Sequence, residues 1–372
     1  MKKRHNPTEC AENGHVTHLI ERLPLGPLDI VGDIHGEIEA LEDLLARLGY
    51  DADGTHPAGR TLAFVGDLID RGPDSPAVIE RVMRFASRGN AQCILGNHEL
   101  NLLRGAERDG NAWFMNPEAP SSYPAKGVER EQKPRIERFL AMLPLALARD
   151  DLRIVHACWH DDSLQQIHRD QRTKPSVIDL YRHYDAATQT RCDESGLTQR
   201  SERELAQCGY HLNDKDVQQP AFLRATAEWD TACQAGNPIR ILTSGKEEPA
   251  AQPFWAGGKW RMVQRVKWWE TYDDPTPVIV GHYWRRYSEA QTFVGDKDGP
   301  DVFDGIEPHH WMGKLRNVYC VDFSVGGRPA ERRSGAVPPY LCKLAALRVP
   351  EWEVMHDDGE VWEIGRAGRA DD

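Results

Sequence analysis

The sequence predicts an α/β protein built on a mixed, partly parallel β-sheet system. Three observations carry that expectation. Short apolar runs recur along the chain, most of them end at a Gly followed by Asp, Asn or His, and amphipathic helical patterns separate the first three. Runs of this kind read as buried strands. Strand–helix–strand–helix–strand order implies parallel pairing through crossover helices.

The elements follow in chain order. Leu28–Val31 leads into Gly32-Asp33. Ile38, Leu41, Leu44, Leu45 and Leu48 then form one helical face that Gly49 closes. Residues 61–65 run into Gly66-Asp67, and residues 73–87 carry a second helical pattern through Val78, Ile79, Val82, Met83 and Ala86. Residues 92–95 lead to Gly96-Asn97. Residues 106–133, rich in Gly, Pro, Asn and Ser, read as a long loop. Residues 145–149 and 152–156 flank Asp150-Asp151 as two strands joined by a tight turn. Residues 160–275 contain helical patterns at 177–189 and 221–234 and read as an inserted, partly helical cap. Val278–Val280 leads to Gly281-His282, and strand signals at 318–323, 341–347 and 361–364 make the sheet system mixed, compatible with two packed sheets. The expected organisation is an N-terminal segment 1–27, a domain in two parts, 28–159 and 276–372, and the cap 160–275 between them.

Composition narrows the function. With 372 residues, 40% of them hydrophobic, the chain can bury a large core, and no apolar stretch is long enough for a membrane span. Met1-Lys2-Lys3-Arg4 is basic, but no apolar segment follows, so a secretory signal is not expected. The net charge of −12 argues against gripping extended nucleic acid. A small phosphorylated substrate stays compatible, because bound cations invert the local sign of a site. The eight cysteines form no CxxC pair and read as reduced thiols of a cytoplasmic protein. Asp371-Asp372 reads as a frayed acidic tail.

The residues at the strand ends are Asp33, His35, Asp67, Asn97, His156 and His282. Mixed carboxylate, amide and imidazole donors suit divalent Mn, Fe or Zn, with Mn the first choice. Asp33 and His35 can meet one ion, Asp67 can bridge two, and Asn97, His156 and His282 complete the second. Two such ions can clamp a phosphate and turn a shared water into hydroxide at neutral pH. Arg71, in Asp70-Arg71-Gly72, offers a planar fork for two phosphate oxygens. His98 can protonate the leaving oxygen with Asp70 holding its ring. Glu99 is expected to start a helix or support the ligands. Taken singly, a Gly-Asp after a strand is as well a capped turn, and a lone His a packed histidine. The ordered set is what points to a metal centre.

Gly32-Asp33-Ile34-His35-Gly36, Gly66-Asp67-Leu68-Ile69-Asp70-Arg71-Gly72 and Gly96-Asn97-His98-Glu99 resemble the signature motifs of the calcineurin-like metallophosphoesterases, in their phosphoprotein phosphatase branch. Leu143-Pro144-Leu145-Ala146 with Ile154-Val155-His156-Ala157 is similar to the strand pair that delivers the next metal histidine there. Gly281-His282-Tyr283-Trp284 and 343–348 look closer to diadenosine-tetraphosphatase and PrpE-like members. The resemblance implies a four-layer α/β/β/α sandwich with two metals at the sheet edge. Trp284 stands where many family members carry a second His, which favours the phosphatase branch over nucleases. The family also implies a second phosphate-binding Arg before the last histidine, for which Arg240, Arg261 and Arg265 are candidates. The leading expectation is hydrolysis of a phosphomonoester on a protein or small molecule. Its rivals are symmetrical cleavage of a dinucleoside tetraphosphate and, from a different class, phosphate binding without turnover. Among the tryptophans 255, 260, 268, 269 and 284, packing is expected ahead of base stacking.

Overall fold

The apolar runs become strands because their successive side chains need cover on both faces of a sheet. The computed structural model describes residues 19–174, 176–218, 220–288 and 299–368. The basic N-terminus Met1 to Arg4, Cys10 and the acidic pair Asp371-Asp372 lie outside the described residues.

Among the described residues thirteen strands are formed: β1 (Ile20–Arg22), β2 (Leu28–Val31), β3 (Thr61–Phe64), β4 (Ala91–Cys93), β5 (Ala146–Arg149), β6 (Leu152–Val155), β7 (Glu247–Ala256), β8 (Lys259–Arg265), β9 (Val278–Val280), β10 (Val318–Cys320), β11 (Ala345–Val349), β12 (Glu353–His356) and β13 (Val361–Glu363). Helices α1 (Ile38–Leu48), α2 (Ser75–Ser87), α3 (Asn97–Leu103), α4 (Ala112–Met115) and α5 (Lys133–Ala141) come before β5. Between β6 and β9 lie α6 (Asp161–Asp170), α7 (Val177–Glu194), α8 (Leu197–Gln207), α9 (Arg224–Ala235), α10 (Pro238–Ser244) and the β7–β8 hairpin. Helix α11 (Arg328–Arg333) follows β10.

One sheet has the order β13-β12-β11-β2-β3-β4 and the other β1-β5-β6-β9-β10. β2, β3 and β4 are parallel, as the intervening helices α1 and α2 require. β11 runs antiparallel to β2, and β5 to β6, while β6, β9 and β10 are parallel. Alternation along each strand builds the layers. Leu28, Ile30 and Ala63 of one sheet meet Leu147, Ile154, Ile279 and Tyr319 of the other in a single apolar cluster. The intervening residues Val31, Leu62 and Phe64 turn outward onto Leu41, Leu44, Val78 and Ile79 of α1 and α2. On the far side Val155, Val278 and Val280 pack with Leu164 and Ile167 of α6 and Ile239 and Leu242 of α10. The result is the expected α/β/β/α sandwich, each buried Leu, Ile or Val contributing about 1.5–3 kcal/mol.

Local signals fix the helix ends. Gly49 takes the left-handed conformation (φ 92°) and donates to the Leu45 and Ala46 carbonyls to stop α1. Asp74 caps α2 by accepting from the Ala77 amide at 2.9 Å.

The structure differs from expectation in places. Residues 106–133 are not all loop: α4 forms there and buries Trp113 and Phe114. Asp161 and Asp162, which the sequence reads as a solvated turn, open α6, with Trp159 Nε1 donating to Asp161 Oδ1 at 2.8 Å, and negative side chains favour a helix N-terminus. The strand predicted over 318–323 stops at Cys320, because Asp322 bonds outside the ladder. Trp255, Trp268 and Trp269 are buried packing residues, as expected, whereas Trp284 stays partly exposed. Among the described residues no helix is long and apolar enough to cross a membrane.

Candidate metal centre

Parallel pairing brings the C-terminal ends of β2, β3 and β4 to one sheet edge, where open α/β sheets place their sites. Asp33 and His35 follow β2, Asp67 follows β3, and Asn97 and His98 begin α3 after β4. In the second sheet β6 and β9 run side by side and deliver His156 and His282 to the same place. All nine residues singled out from the sequence meet here.

Asp67 is the common member. Its Oδ2 is 3.9 Å from His35 Nε2, and its Oδ1 is 3.4 Å from His156 Nε2. Donor atoms of His35, Asp67 and His98 lie within 4.8 Å of one another, and so do those of Asp67, His156 and His282. Asp33 Oδ2 stands 3.9 Å from His35 Nε2. Asn97 Oδ1 stands 2.7 Å from His282 Nδ1 and 3.2 Å from His156 Nε2. An ion about 2.1 Å from each donor spans pairs at such separations.

The histidine rings are oriented from behind. His35 Nδ1 donates to the Ile69 carbonyl (3.1 Å) and His156 Nδ1 to the Val65 carbonyl (2.7 Å), so both Nε2 atoms face inward. His35 Nε2 is buried and has no hydrogen-bond partner among the described residues. Burial, His98 and Arg71 hold its pKa well below the usual histidine range, leaving a neutral ring with a lone pair directed at the carboxylates.

Charge in the site is out of balance. Asp33, Asp67, Glu99 and Asp322 are all buried at the sheet edge. Burial, with Asp322 and Asp67 nearby, raises Asp33 well above the carboxylate range. Burial and Asp67 raise Glu99 to about 7. Burial also raises Asp322. For Asp67 burial acts in the same direction, but His156 and His98 outweigh it and hold the group well below its ordinary value. Buried carboxylates in this number call for cations. The donors, the orphaned His35 nitrogen and the excess negative charge together fit two divalent ions.

His98 has a separate geometry. Its Nδ1 lies 2.6 Å from Asp70 Oδ2, and its Nε2 lies 3.9 Å from Asp67 Oδ2. Burial lowers its pKa, yet Asp67 and Asp70 more than offset this and raise it, favouring the imidazolium. Trp113 Nε1 donates to the other oxygen of Asp70 at 2.8 Å. The Arg71 guanidinium lies 4.6 Å from the Trp284 ring centre and 5.8 Å from that of Tyr123, and its Nε is buried without a partner among the described residues.

Backbone strain is concentrated at the site. Among the described residues, seven of the nine non-glycine residues with positive φ are His35, Asp67, Asp70, Arg71, His282, Trp284 and Ser324. Such conformations persist where the surroundings over-determine them, and they cluster at functional sites. Gly281 is required for close approach, since a Cβ there would overlap Asp33 Oδ1.

Sequence reasoning missed two supports and anticipated a third. Trp113 lay in a segment read as loop and gave no signal. Asp322 accepts from the Trp284 amide (2.7 Å) and the Ser324 amide (2.8 Å) and so shapes the turn after His282. Its place at a strand end was a signal, but no Gly precedes it. Glu99, expected only in a supporting role, accepts from the amides of Asp67, Leu68 and Gly96 at 2.8–3.0 Å and so fixes the loop that carries the shared carboxylate.

Comparison with known proteins is consistent with this geometry. The sequence pattern of the calcineurin-like phosphoesterases matches residues 26–219. The chain is similar to the asymmetrical bis(5'-nucleosyl)-tetraphosphatase PrpE of Oceanobacillus iheyensis, with 48% identity over 80 residues, 21% of this chain and 32% of that protein. It is similar to the protein of the same name from Geobacillus thermodenitrificans at 29% identity over 225 residues, 58% of this chain and 89% of that protein. The match thus spans about a third (32%) of the first relative's length. Among solved structures, a cold-active protein-tyrosine phosphatase of a psychrophilic Shewanella aligns over 93% of this chain and 83% of its own, at 13% identity and a TM-score of 0.47.

Proposed function

Since the chain belongs to the calcineurin-like phosphoesterase family, we propose that it is a hydrolase of phosphate esters or anhydrides working with two divalent metal ions. Asp33, His35 and Asp67 would hold one ion, and Asp67, Asn97, His156 and His282 the other. The observation that carries this reading is the Asp67 carboxylate, with one oxygen turned to His35 and the other to His156. Bound there, divalent ions supply Lewis acidity and a nucleophile from water at neutral pH. Manganese is the first choice, with iron and zinc the alternatives, since the donor set suits all three.

The chain's own side chains take the remaining roles. Arg71, with its guanidinium free above Trp284, grips phosphoryl oxygens. His98, held as imidazolium by Asp70, passes a proton to the leaving oxygen. Of the three arginines considered for a second phosphate contact, Arg265 is favoured. Arg240 is held by Asp185 at 3.0 Å, and Arg261 lies four positions along β8 from the residue that contacts Tyr283. Arg265 lies 5.3 Å from the Tyr283 ring, next to His282, with Nη1 buried and unpartnered among the described residues.

A second reading, cleavage of a dinucleoside tetraphosphate, is favoured by the names of the PrpE relatives. Those names also broaden the expected products from two equal nucleotides to an unequal pair. The test is a panel of an aryl phosphate, phosphopeptides and diadenosine tetraphosphate, assayed with manganese and without, with products identified by mass. Phosphoester hydrolysis that survives complete metal removal would overturn the reading. We further propose that 28–159 and 276–372 form the phosphoesterase domain, that 160–275 serves as a cap over its edge behind an N-terminal segment 1–27, and that the protein is cytoplasmic, as cysteines without a CxxC spacing suggest.

A further inference from the structure

Strand β8, in the stretch between β6 and β9, has a cationic face of which the proposed chemistry uses only Arg265. Lys259, Arg261 and Arg265 sit at alternating positions, so their side chains share one face of the strand. The Arg265 end abuts Tyr283, beside the metal-facing His282, and the other two positions continue the row away from the metal centre. From a separate segment, Arg108 interacts electrostatically with both Lys259 and Arg261. Arg108 sits two residues before Gly110, whose carbonyl accepts from the Arg71 amide at 3.3 Å. The segment bonded to the Arg71 backbone therefore carries a cation, Arg108, close enough to act on the cationic strand.

The balance of charge on that face is positive. Asp230 and Glu247 are the carboxylates acting on Lys259 and Arg261, against Arg108, Arg265 and the pair themselves. Among the described residues Lys259, Arg261 and Arg265 form no close ion pair. Burial lowers the pKa of both Lys259 and Arg261, and the nearby carboxylates Glu247 and Asp230, opposed by the neighbouring cations, do not restore it. This occurs on a chain whose net charge is −12. Like charges held together without close counter-ions mark a surface awaiting an anion.

We propose that Lys259 and Arg261, faced by Arg108, hold anionic groups of the substrate beyond the phosphoryl being cut, so that chains of several phosphates are preferred to single phosphate esters. The proposal rests on the phosphoesterase reading and makes the β7–β8 hairpin a determinant of specificity. It assigns no reacting role to these side chains.

The test compares the full chain with a Lys259→Gln/Arg261→Gln double variant, both loaded with manganese. Diadenosine tetraphosphate and p-nitrophenyl phosphate are the substrates. The expected result is a rise of about tenfold in KM for the tetraphosphate, the size of one lost charge-assisted contact, with kcat little changed and a matching fall in the tetraphosphate-to-aryl preference. An unchanged preference would overturn the proposal. Arg261→Lys, which keeps the charge, should recover most of the preference, and failure to do so in a folded variant counts against it. Two arms need no variant. In the parent the preference should fall as salt rises, and a flat response contradicts a charge-based site. Calorimetry of metal-free protein with inorganic tripolyphosphate should show binding well above that of orthophosphate. Equal affinities would sink the proposal, whereas absence of turnover of both substrates by the manganese-loaded parent would sink the phosphoesterase reading instead.

Discussion

Asp67 contributes to both donor groups, so its substitution separates the metal requirement from the fold. Asp67→Asn should lose bound metal and at least about a hundredfold in activity, the scale of removing a preorganised electrostatic contributor. Its circular dichroism should stay that of the parent, and metal analysis with retained turnover would refute the shared-carboxylate scheme. His98 poses a question of protonation. Its imidazolium is favoured by Asp67 and by Asp70 at 2.6 Å. Replacing Asp70 by Asn removes one favourable charge, so the His98 pKa falls and the proton is lost at lower pH. The alkaline limb of the rate profile should therefore move down by about one pH unit. The movement should be clearest for substrates with poor leaving groups, which need the proton most. Equal slowing of good and poor leaving groups in His98→Asn would remove its assignment as the acid.

Strand ends set the geometry at the next scale up, and their glycines are part of it. Gly281→Ala forces a methyl into Asp33 Oδ1. The cost should be about 1–3 kcal/mol, read as a lowered denaturant midpoint, with activity reduced more than stability. A second element-scale prediction concerns β12. His356 is buried against Phe323, Tyr287 and Trp362, and burial with Lys343 nearby lowers its pKa to about 4. The folded state therefore refuses a proton that the unfolded chain accepts below about 6.5. Stability is complete above that pH and is lost as pH falls toward 4, by about 3 kcal/mol in all. His356→Phe should flatten that slope in urea titrations between pH 7 and 4. Elements were legible where burial was two-sided. β2, β3 and β9 could be read because every residue between their turns is apolar or tucked inside. β1 and β12 were missed because their runs alternate with charge, as in Ile20-Glu21-Arg22. Trp113 was missed because its helix α4 is only four residues long and owes its order to tertiary packing.

At the scale of the whole molecule, a ligand set gathered from five strand ends makes metal binding a stabilising influence on the entire sandwich. Manganese at a hundred times its dissociation constant should add about 2.7 kcal/mol, seen as a rise in Tm that a chelator reverses. A Tm indifferent to manganese would count against preformed sites. Much of the centre could be read from the sequence because each ligand travels in a short local motif, Gly-Asp or Asn-His, that the strand pattern marks. Residues 160–275 could not be read for the opposite reason. Their role depends on which face of β8 meets the cleft, and that is set by α9 and by contacts far along the chain. The cation row at Lys259, Arg261 and Arg265 looks in sequence like any exposed strand.

One contact has a bearing on how the protein is made. The His282 amide donates to Asp33 across 249 positions of chain, and β9, which presents it, pairs with β6 only after 160–275 has been threaded between them. During synthesis, the N-terminal motifs leave the ribosome long before their partner exists. The first-made sheet must wait with its cluster of buried carboxylates incomplete, because domains assemble as their segments emerge. Contacts of such long range also close slowly. A nascent chain arrested before residue 282 should be open to proteases at its β2–β4 edge, whereas one released past that point should acquire resistance together with its metals.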